Sequence, residues 1–531
     1  MKNDFLLIFN ISDSKIQLTE KKINGFVNRI SSSEILITNL KNELDNATDM
    51  SKFRGVKIEF TERSLSIYTD HFSSIPVFYT NTGSQVIFSN NYKYVASNVI
   101  IPTEDKIGFW ELFIFENTLL DRTLLQEVKY LQACSLLHIE NNSVKESRYF
   151  NYDYEKISGV SANNYDEMID TIRSYFKELE YKEYLFPVSG GFDSRLFLSL
   201  FDKEKYINEF VTYGFNKNII ENAAAKKVID LLGYDRKKHI FHKLTEDKYM
   251  KDIVELSEIS GGFIGVQNSH LFSYLSDVDP KGSNLISGVL ADGIFGYACD
   301  PELNNEFTKS SYYKTIINAS GKYRIPQKIT DEIISDLEKL FTDWKLNRTI
   351  SSFNEYVYIR ERNSKFMFGL VNVWRRYTNV IIPPLDHRIE NLFMSLPDSS
   401  RKYKAIVNRL LNRIDPKLLN INNVSSIFRN KEIGLSNKCQ DLEYRIIRKL
   451  NSIIQGKIKL PVNFPNRFDT ETHDYYYLKY HRDIIKNDVI EFKDKNPGFI
   501  PDDILENIEG MRAYQLYSNI HVLNENILER T

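Results

Sequence analysis

Hydrophobic and polar positions alternate in short runs along the first 150 residues, at 5–11, 56–60, 65–68, 77–79 and 86–89, each closed by a polar turn. Period-two alternation sends one side of a strand into a core and the other to water, so this part is expected to be mostly strand. A polar stretch at 157–164 then leads into a helix-spaced pattern over 165–179, which marks a domain boundary. From Leu185 the order becomes strand, glycine turn, helix: LFPVSGG then DSRLFLSLF, INEFVTYGF then ENAAAKKVIDLLG, and KKHIFHKL as a further strand. That order predicts a parallel sheet covered by helices. After a buried strand at 285–288 the chain reads as predominantly helical, with 356–377, 388–395, 403–413 and 442–454 as the better segments. No internal repeat is visible, and residues 440–531 carry no readable motif.

Length and composition set the bounds. A chain of 531 residues is too long for one core, so two large domains with a helical tail are expected, at 1–155, 165–435 and 436–531. With 42% hydrophobic residues there is ample material for packed cores. The formal charge of −2, from 69 basic and 71 acidic residues, gives no electrostatic reason to expect nucleic acid or an anionic membrane as partner. Cys134, Cys299 and Cys439 are far apart and in no paired spacing, which argues against a disulfide framework or a zinc site. The start of the chain lacks a signal-peptide pattern, and no apolar run is long enough to span a bilayer; a cytoplasmic protein is expected.

One loop carries candidate chemistry. PVSGGFDSRLF places two glycines after a buried strand and an Asp-Ser pair at a helix start, so backbone N–H groups and the positive helix end converge on one small volume. Such a volume suits phosphate. Gly190 and Gly191 let the backbone approach an anion, Ser189 and Ser194 can donate to it, and Asp193 can hold a magnesium ion. A plain strand-to-helix turn with a serine cap explains only part of the hexapeptide. The spacing also differs from GxxxxGK[ST], and no GxGxxG follows a strand.

The SGGFDS hexapeptide resembles the pyrophosphate-binding loop of the ATP pyrophosphatase superfamily, the PP-loop enzymes that split ATP between the α and β phosphates. Further segments narrow the resemblance to asparagine synthetase-like amide ligases. INEFVTYGF, Glu221 and AAAKKVIDLLG look like the second strand and helix of that family, NLISGVLADGIFGY resembles its SGxGxDExFGGY segment, and IIPPLDHRIENLFMSLP resembles its PFLD segment. Lys404 stands twelve residues before Pro416, as the family's active-site lysine stands before its LP pair. In the first half, Asp70, Pro76 and VFYT resemble the DxxGxxPLYY turn of class II glutamine amidotransferases, VIFSN resembles their FASE strand, and the run through Arg148 and Tyr149 resembles the linker that follows. The resemblance covers about residues 1–435. It implies a degenerate class II amidotransferase (Ntn-type) β sandwich, then a PP-loop parallel-sheet α/β synthetase domain with a helical C-terminal region.

The same resemblance implies ATP and Mg2+ as cofactors, with Asp193 and Asp292 as magnesium ligands and Lys404 stabilising charge on the α-phosphate and the tetrahedral intermediate. It places Val211, Thr212 and Tyr213 against adenine, and Ser287 and Gly288 near the ribose or α-phosphate. Asp386 is expected to fix the PPLD turn, and Arg429 and Lys431 to resemble a mobile RxKxGF loop. The expected activity is amide-bond formation through an acyl-adenylate, on a small molecule or peptide offering a carboxylate and an amine. A homodimer or a biosynthetic-complex partner is left open.

Two departures qualify this expectation. Glutaminases of the family expose an N-terminal cysteine nucleophile, whereas position 2 is Lys2 and no cysteine precedes Cys134. Nitrogen is therefore expected from an amine, as in β-lactam synthetases and lasso-peptide cyclases. Val289 stands where asparagine synthetases place Glu and β-lactam synthetases place Tyr, and Gly293 replaces the acid after the aspartate. Ammonia-dependent asparagine synthesis and a catalytically silent nucleotide-binding partner are the alternatives.

Overall fold

The structure is a computed structural model that describes residues 4–12, 15–38, 49–140, 143–149, 152, 154–180, 183–215, 217, 220–263, 269–280, 283–300, 306–346, 350–421, 481–501, 504, 508 and 510–528. Lys2, Arg429, Lys431, Cys439 and the helix expected at 442–454 lie outside the described residues.

The first part contains strands β1 (Phe5–Ser12), β2 (Lys15–Ile23), β3 (Val27–Ile30), β4 (Glu34–Thr38), β5 (Val56–Phe60), β6 (Ser64–Thr69), β7 (Phe78–Asn81), β8 (Gln85–Ser89), β9 (Lys129–Tyr130), β10 (Ser135–Glu140) and β11 (Ser143–Arg148). They form two antiparallel sheets, ordered β2-β1-β8-β7-β9 and β11-β10-β6-β5-β4-β3. Alternation does the sorting. Ile35, Ile58, Ile67 and Leu137 lie opposite one another across four strands, and all are fully buried. They pack with Leu7, Phe9, Val86 and Phe88 of the other sheet into one sandwich core.

Two helices interrupt this strand-rich part, which alternation reads as mostly strand. Lys106–Phe115 is capped by Asp105, whose side chain accepts from the N–H groups of Ile107 and Gly108. Its stretch FWELFIF is buried throughout, so the sequence shows neither period two nor a one-sided helical stripe. Such a run cannot be told from a buried strand by pattern alone.

The second part is built on strands β12 (Glu183–Pro187), β13 (Tyr206–Gly214), β14 (His239–Lys243), β15 (Asn284–Ile286) and β16 (Asn379–Ile381), all parallel, in the order β14-β13-β12-β15-β16. The chain winds outward from β12 to β14 and then returns to the opposite side of β12 for β15. Winding reverses between β12 and β15, and at such a reversal the loops leaving the two strand ends diverge and open a crevice. Helices Phe192–Leu200, Ile220–Leu231, Glu246–Ser260 and His270–Val278 make the first crossovers.

The segment expected as one helix over 356–377 is instead an α-turn (Phe353–Val357), a π-helix (Tyr358–Met367) and a second α-helix (Phe368–Trp374). The run RERNSK looks solvent-facing in sequence but is almost wholly buried, because partners await it. Arg360 meets Asp343, Tyr356 and Gln132. Lys365 Nζ donates to the carbonyls of Thr118 and Leu120 at 2.8 and 2.6 Å and pairs with Glu361. The first part of the chain thereby supplies the satisfaction that makes burial of this helix affordable. In the C-terminal stretch, helices Arg482–Lys495 and Gly510–Leu523 are described. Gly510–Leu523 spans both parts: Asn519 donates to the carbonyl of Phe109 and Gln515 to that of Gly262. Among the described residues no helix is long and apolar enough to cross a membrane.

The parts also meet at a buried cluster in which Glu390 accepts from Arg54 and from the hydroxyl of Tyr154, beside His71 at 3.6 Å. Burial, reinforced by Arg54 and only partly opposed by Glu390, holds the His71 imidazole below its ordinary value. The unfolded chain therefore takes up this proton first as pH falls. The stabilisation is complete above about pH 6.5 and is lost below it, with a slope of at most ~1.4 kcal/mol per pH unit for one group. His71→Gln is expected to shrink the fall in melting temperature between about pH 7 and pH 5, measured by differential scanning calorimetry.

Candidate functional site

The loop leaving β12 and the loop leaving β15 lie side by side at the reversal of winding. After Pro187, the N–H of Val188 still bonds to the carbonyl of Val211 at 2.9 Å, and then the backbone turns at Gly190 with φ +69°. A Cβ there would lie 2.4 Å from that of Ala224, so both the turn and the close approach of helix Ile220–Leu231 require glycine. Ser189 is exposed, and its Oγ accepts from the Gly191 N–H at 3.3 Å. Helix Phe192–Leu200 starts at once, with Asp193 in its first turn and the Ser194 hydroxyl donating to the Gly191 carbonyl at 2.9 Å.

Arg195 braces this loop from behind. Fully buried, it donates to the carbonyls of Gly190, Leu418 and Ile421 at 2.8, 2.5 and 2.7 Å. Burial without a carboxylate pulls its guanidinium down to about 10.

On the other side, Ser287 continues β15 through a bond from its N–H to the Ile381 carbonyl, and its Oγ accepts from the Val289 N–H. Gly288 approaches so closely that a Cβ on it would sit 3.5 Å from the Asp193 Cβ. Leu290 takes a left-handed backbone at φ 72°, which turns Asp292 back toward the first loop.

Lys404 joins the two. Its ammonium is shared by Asp193, at 2.5 Å, and Asp292. The residue is buried rather than displayed on a helix surface, and it precedes helix Ala405–Ile414. Burial pulls its pKa down, but the two carboxylates outweigh that and push it up to about 12. Tyr403 and Lys404 are consecutive left-handed residues, at φ 54° and 61°. Such a conformation costs on the order of 1 kcal/mol per non-glycine residue and persists only where the surroundings impose it.

The surroundings do so through Arg401. Wholly buried, it pairs with Glu355 and donates to the Ile294 carbonyl at 3.0 Å. Gly296, at φ +84°, leaves room for the Arg401 carbonyl, which a Cβ would meet at 2.6 Å. Cys299, Glu355 and Asp398 cluster nearby, but Arg401 and Lys156 already answer the carboxylates, so the cluster is a buttress.

The remaining expected residues lie along the same sheet edge. β13 runs past its last pairing with β12, Val211↔Pro187, so Thr212, Tyr213 and Gly214 pair only with β14. The Thr212 hydroxyl is used internally, donating to the Val188 carbonyl at 2.7 Å. Burial raises the Tyr213 phenol to about 12 and also raises the Glu221 carboxyl, which sits in the first turn of its helix. Asp386 caps helix His387–Met394 by accepting from the Arg388 N–H at 2.9 Å, which is a structural task. Val289 is half-buried, and Gly293 packs so tightly that a Cβ would meet Asn363 Nδ2 at 2.3 Å.

The π-helix brings residues that sequence reading missed. Tyr297 donates its N–H to the Asp292 carbonyl at 2.9 Å and lies beside Tyr358, ring centroids 5.6 Å apart and planes tilted by 46°. Arg362 donates to the Tyr358 hydroxyl at 3.3 Å and lies over the Phe366 ring. Burial and the nearby Asp292 raise the Tyr358 phenol. The available signal was polar density: six consecutive polar residues within a strongly apolar stretch.

Asp193 and Asp292 touch one nitrogen, so both carboxylates are placed to touch one divalent cation in its stead. That convergence fits the donor set of magnesium, which is bound by one or two carboxylates together with phosphate oxygens. Lys404→Met removes the shared cation and leaves two partly exposed carboxylates facing each other, a loss that solvent keeps below the ~3–5 kcal/mol of a fully buried pair. Millimolar Mg2+ is expected to raise the melting temperature of that variant more than that of the parent chain, read by thermal denaturation.

Compared with known proteins, the chain matches no protein-family model and no curated protein.

Proposed function

We propose that the chain is an ATP-dependent, AMP-forming carbon–nitrogen ligase of the asparagine synthetase-like kind. On this reading it adenylates a substrate carboxylate, releases pyrophosphate and lets an amine attack, without hydrolysing glutamine. The observation that carries the reading is Lys404, whose ammonium is held between carboxylates from the loops after β12 and β15 at the reversal of winding.

Each residue then has a task. Backbone N–H groups from Gly190 to Ser194, with the Ser189 and Ser194 hydroxyls, receive the β and γ phosphates at the start of a nine-residue helix. Asp193 and Asp292 hold Mg2+, which supplies charge neutralisation at the triphosphate and at the departing pyrophosphate. The end of β13 at Val211, Thr212 and Tyr213 takes adenine, while Ser287 and Gly288 face the ribose and α-phosphate. Lys404, protonated throughout the physiological range, stabilises negative charge on the α-phosphate and on the tetrahedral intermediate.

The reading without glutamine hydrolysis rests on the cysteines, while internal bonds hold the start of β1. There the Phe5 N–H is bonded to Asn90 at 2.8 Å, Asn90 is locked to Asn372, and Asp4 lies 3.4 Å from Arg376. Residues 1–133 include no cysteine, and the Cys134 thiol is buried and pushed up to about 11, away from a nucleophilic thiolate. The two antiparallel sheets then serve as a degenerate amidotransferase-like sandwich beside a PP-loop domain.

Ammonia-dependent asparagine synthesis is a weaker reading, because the half-buried Val289 offers no proton acceptor for an incoming amine. Aspartate, ATP and ammonium are expected to yield no asparagine. The silent nucleotide-binding reading rests on Gly293, where Asn363 fills the space a second acid would need.

Measurements of pyrophosphate–ATP exchange and of AMP release across a panel of amino and carboxylic acids test the proposal. Exchange is expected with a subset of acids, and Asp193→Asn is expected to lower it by roughly a hundredfold or more. Release of ADP and phosphate would overturn the reading, and MgATP binding without AMP from any acid would favour the silent partner.

A further inference from the structure

Helix Glu246–Ser260 has two faces with different tasks. One, with Tyr249, Ile253 and Leu256, is buried in the core. The other carries Asp247, Met250, Lys251, Val254, Glu255 and Glu258, whose spacing of three and four sets them along one stripe. Helices Arg482–Lys495 and Gly510–Leu523 run beside it and are tied to it at two points. The Ser257 and Ser518 hydroxyls meet at 2.6 Å. At the other end the His481 ring stacks with Tyr249, centroids 6.3 Å apart, and its Nδ1 meets the Tyr514 hydroxyl at 2.5 Å.

Between the stripe and these helices lies an open groove of about 680 Å³. Met250, His481 and Tyr517 line it and are buried, Val254 is half-buried, and Ile484 lines it while 46% exposed. The acidic residues alone would mark only a solvated helix face. An apolar lining with an isoleucine left in water is what a docking surface presents. Glu246, Asp247, Glu255 and Glu258 decide the sign of the occupant. Against them stands Lys251, so the lining carries a net charge of −3, more than the −2 of the whole chain. Burial holds the His481 imidazole below its ordinary value, so the ring adds no positive charge at neutral pH.

Shape narrows the class further. From Glu246 to Glu258 the helix rises about 18 Å, the length of roughly three helical turns of a ligand. A small molecule is held by burying most of its surface, which an open groove of that length does not do. A helical segment laid along it covers the apolar lining with residues spaced three and four apart and places lysines or arginines against the carboxylates. We propose that this groove is a docking site for a basic amphipathic helix of a partner protein. The proposal stands apart from the ligase reading and uses none of its residues.

Fluorescence anisotropy of the full chain with a labelled amphipathic helix of leucine and lysine, about fifteen residues long, tests it. A glutamate counterpart of the same pattern and a shuffled lysine peptide without periodicity are the comparisons. The lysine helix is expected to bind, and the other two at least roughly tenfold more weakly. Glu255→Lys is expected to weaken binding roughly fivefold and Lys251→Glu to tighten it by a similar factor, both effects shrinking between about 50 and 200 mM salt. Ile484→Ser is expected to weaken it roughly fivefold at either salt concentration. All three positions are exposed, so the variants keep the fold, and Glu332→Lys, exposed on helix Gln327–Leu346 outside the groove, is expected to retain parental affinity. No saturable binding, equal affinity for the acidic or shuffled peptide, or parental affinity in both Glu255→Lys and Ile484→Ser would overturn the proposal. Displacement of the label by spermine at lower concentration than by unlabelled peptide would assign the groove to a small polyamine and overturn it as well.

Discussion

An ammonium buried between two carboxylates governs the second half of this molecule. Lys404 cannot be buried alone, since desolvating a cation costs several kcal/mol, and it cannot reach both Asp193 and Asp292 from a regular helix. The chain meets both conditions by entering helix Ala405–Ile414 through two left-handed residues. That irregular turn is then held by a second buried pair, Arg401 with Glu355, and by a glycine at 296 that lets the Arg401 carbonyl come close. Strain at Lys404 is thus balanced by interactions one turn earlier, in residues with no access to the crevice. Arg195 performs the equivalent service for the first loop by tying Gly190 to the carbonyls at 418 and 421.

Parallel-sheet topology explains why these loops meet at all. Strand β12 is central and buried, and the chain leaves it first toward β14 and later toward β16. Only at the β12–β15 junction do consecutive crossovers depart to opposite sides, so only there do two loops diverge and leave a crevice. The two antiparallel sheets take no part in this geometry. The segments that connect their strands instead satisfy buried polar groups: carbonyls at 118 and 120 for Lys365, Gln132 for Arg360 and Arg54 for Glu390. The π-helix exists because both parts of the chain hold it.

Legibility in the sequence followed the range of the forces involved. The loop SGGFDS, the strand before it and the helix after it are local features, and glycine and cap chemistry mark them directly. Alternation likewise marked β5, β6 and β8, whose inward residues line one core. Short strands such as β16 gave no signal, because three residues cannot establish a period. Helix Lys106–Phe115 hid for the opposite reason, being apolar on all sides. At the site, Asp193 was legible from its neighbours and Lys404 from its spacing to Pro416, but the burial of Lys404 was not. Arg401 and Lys402 beside it resemble a solvated surface. Distant carboxylates turn that basic stretch inward: Glu355 at Arg401, Asp300 at Lys402, and Asp193 and Asp292 at Lys404.

The same reasoning bears on Gly293 and Asn363. On the ligase reading the crevice holds polyphosphate, and there each added carboxylate would strengthen cation binding but also repel the phosphates when the cation is absent. Here the position after Asp292 is glycine, and the buried amide of Asn363 occupies the space that a side chain there would need. An amide is neutral, so the local charge is set by two carboxylates against one lysine, a net single negative. On the ligase reading, that charge would attract a divalent cation while keeping repulsion of an anionic ligand low. The packing of the π-helix against the β15 loop therefore sets the electrostatics of the crevice as well as its shape. A change in that helix is felt at the carboxylates without touching them.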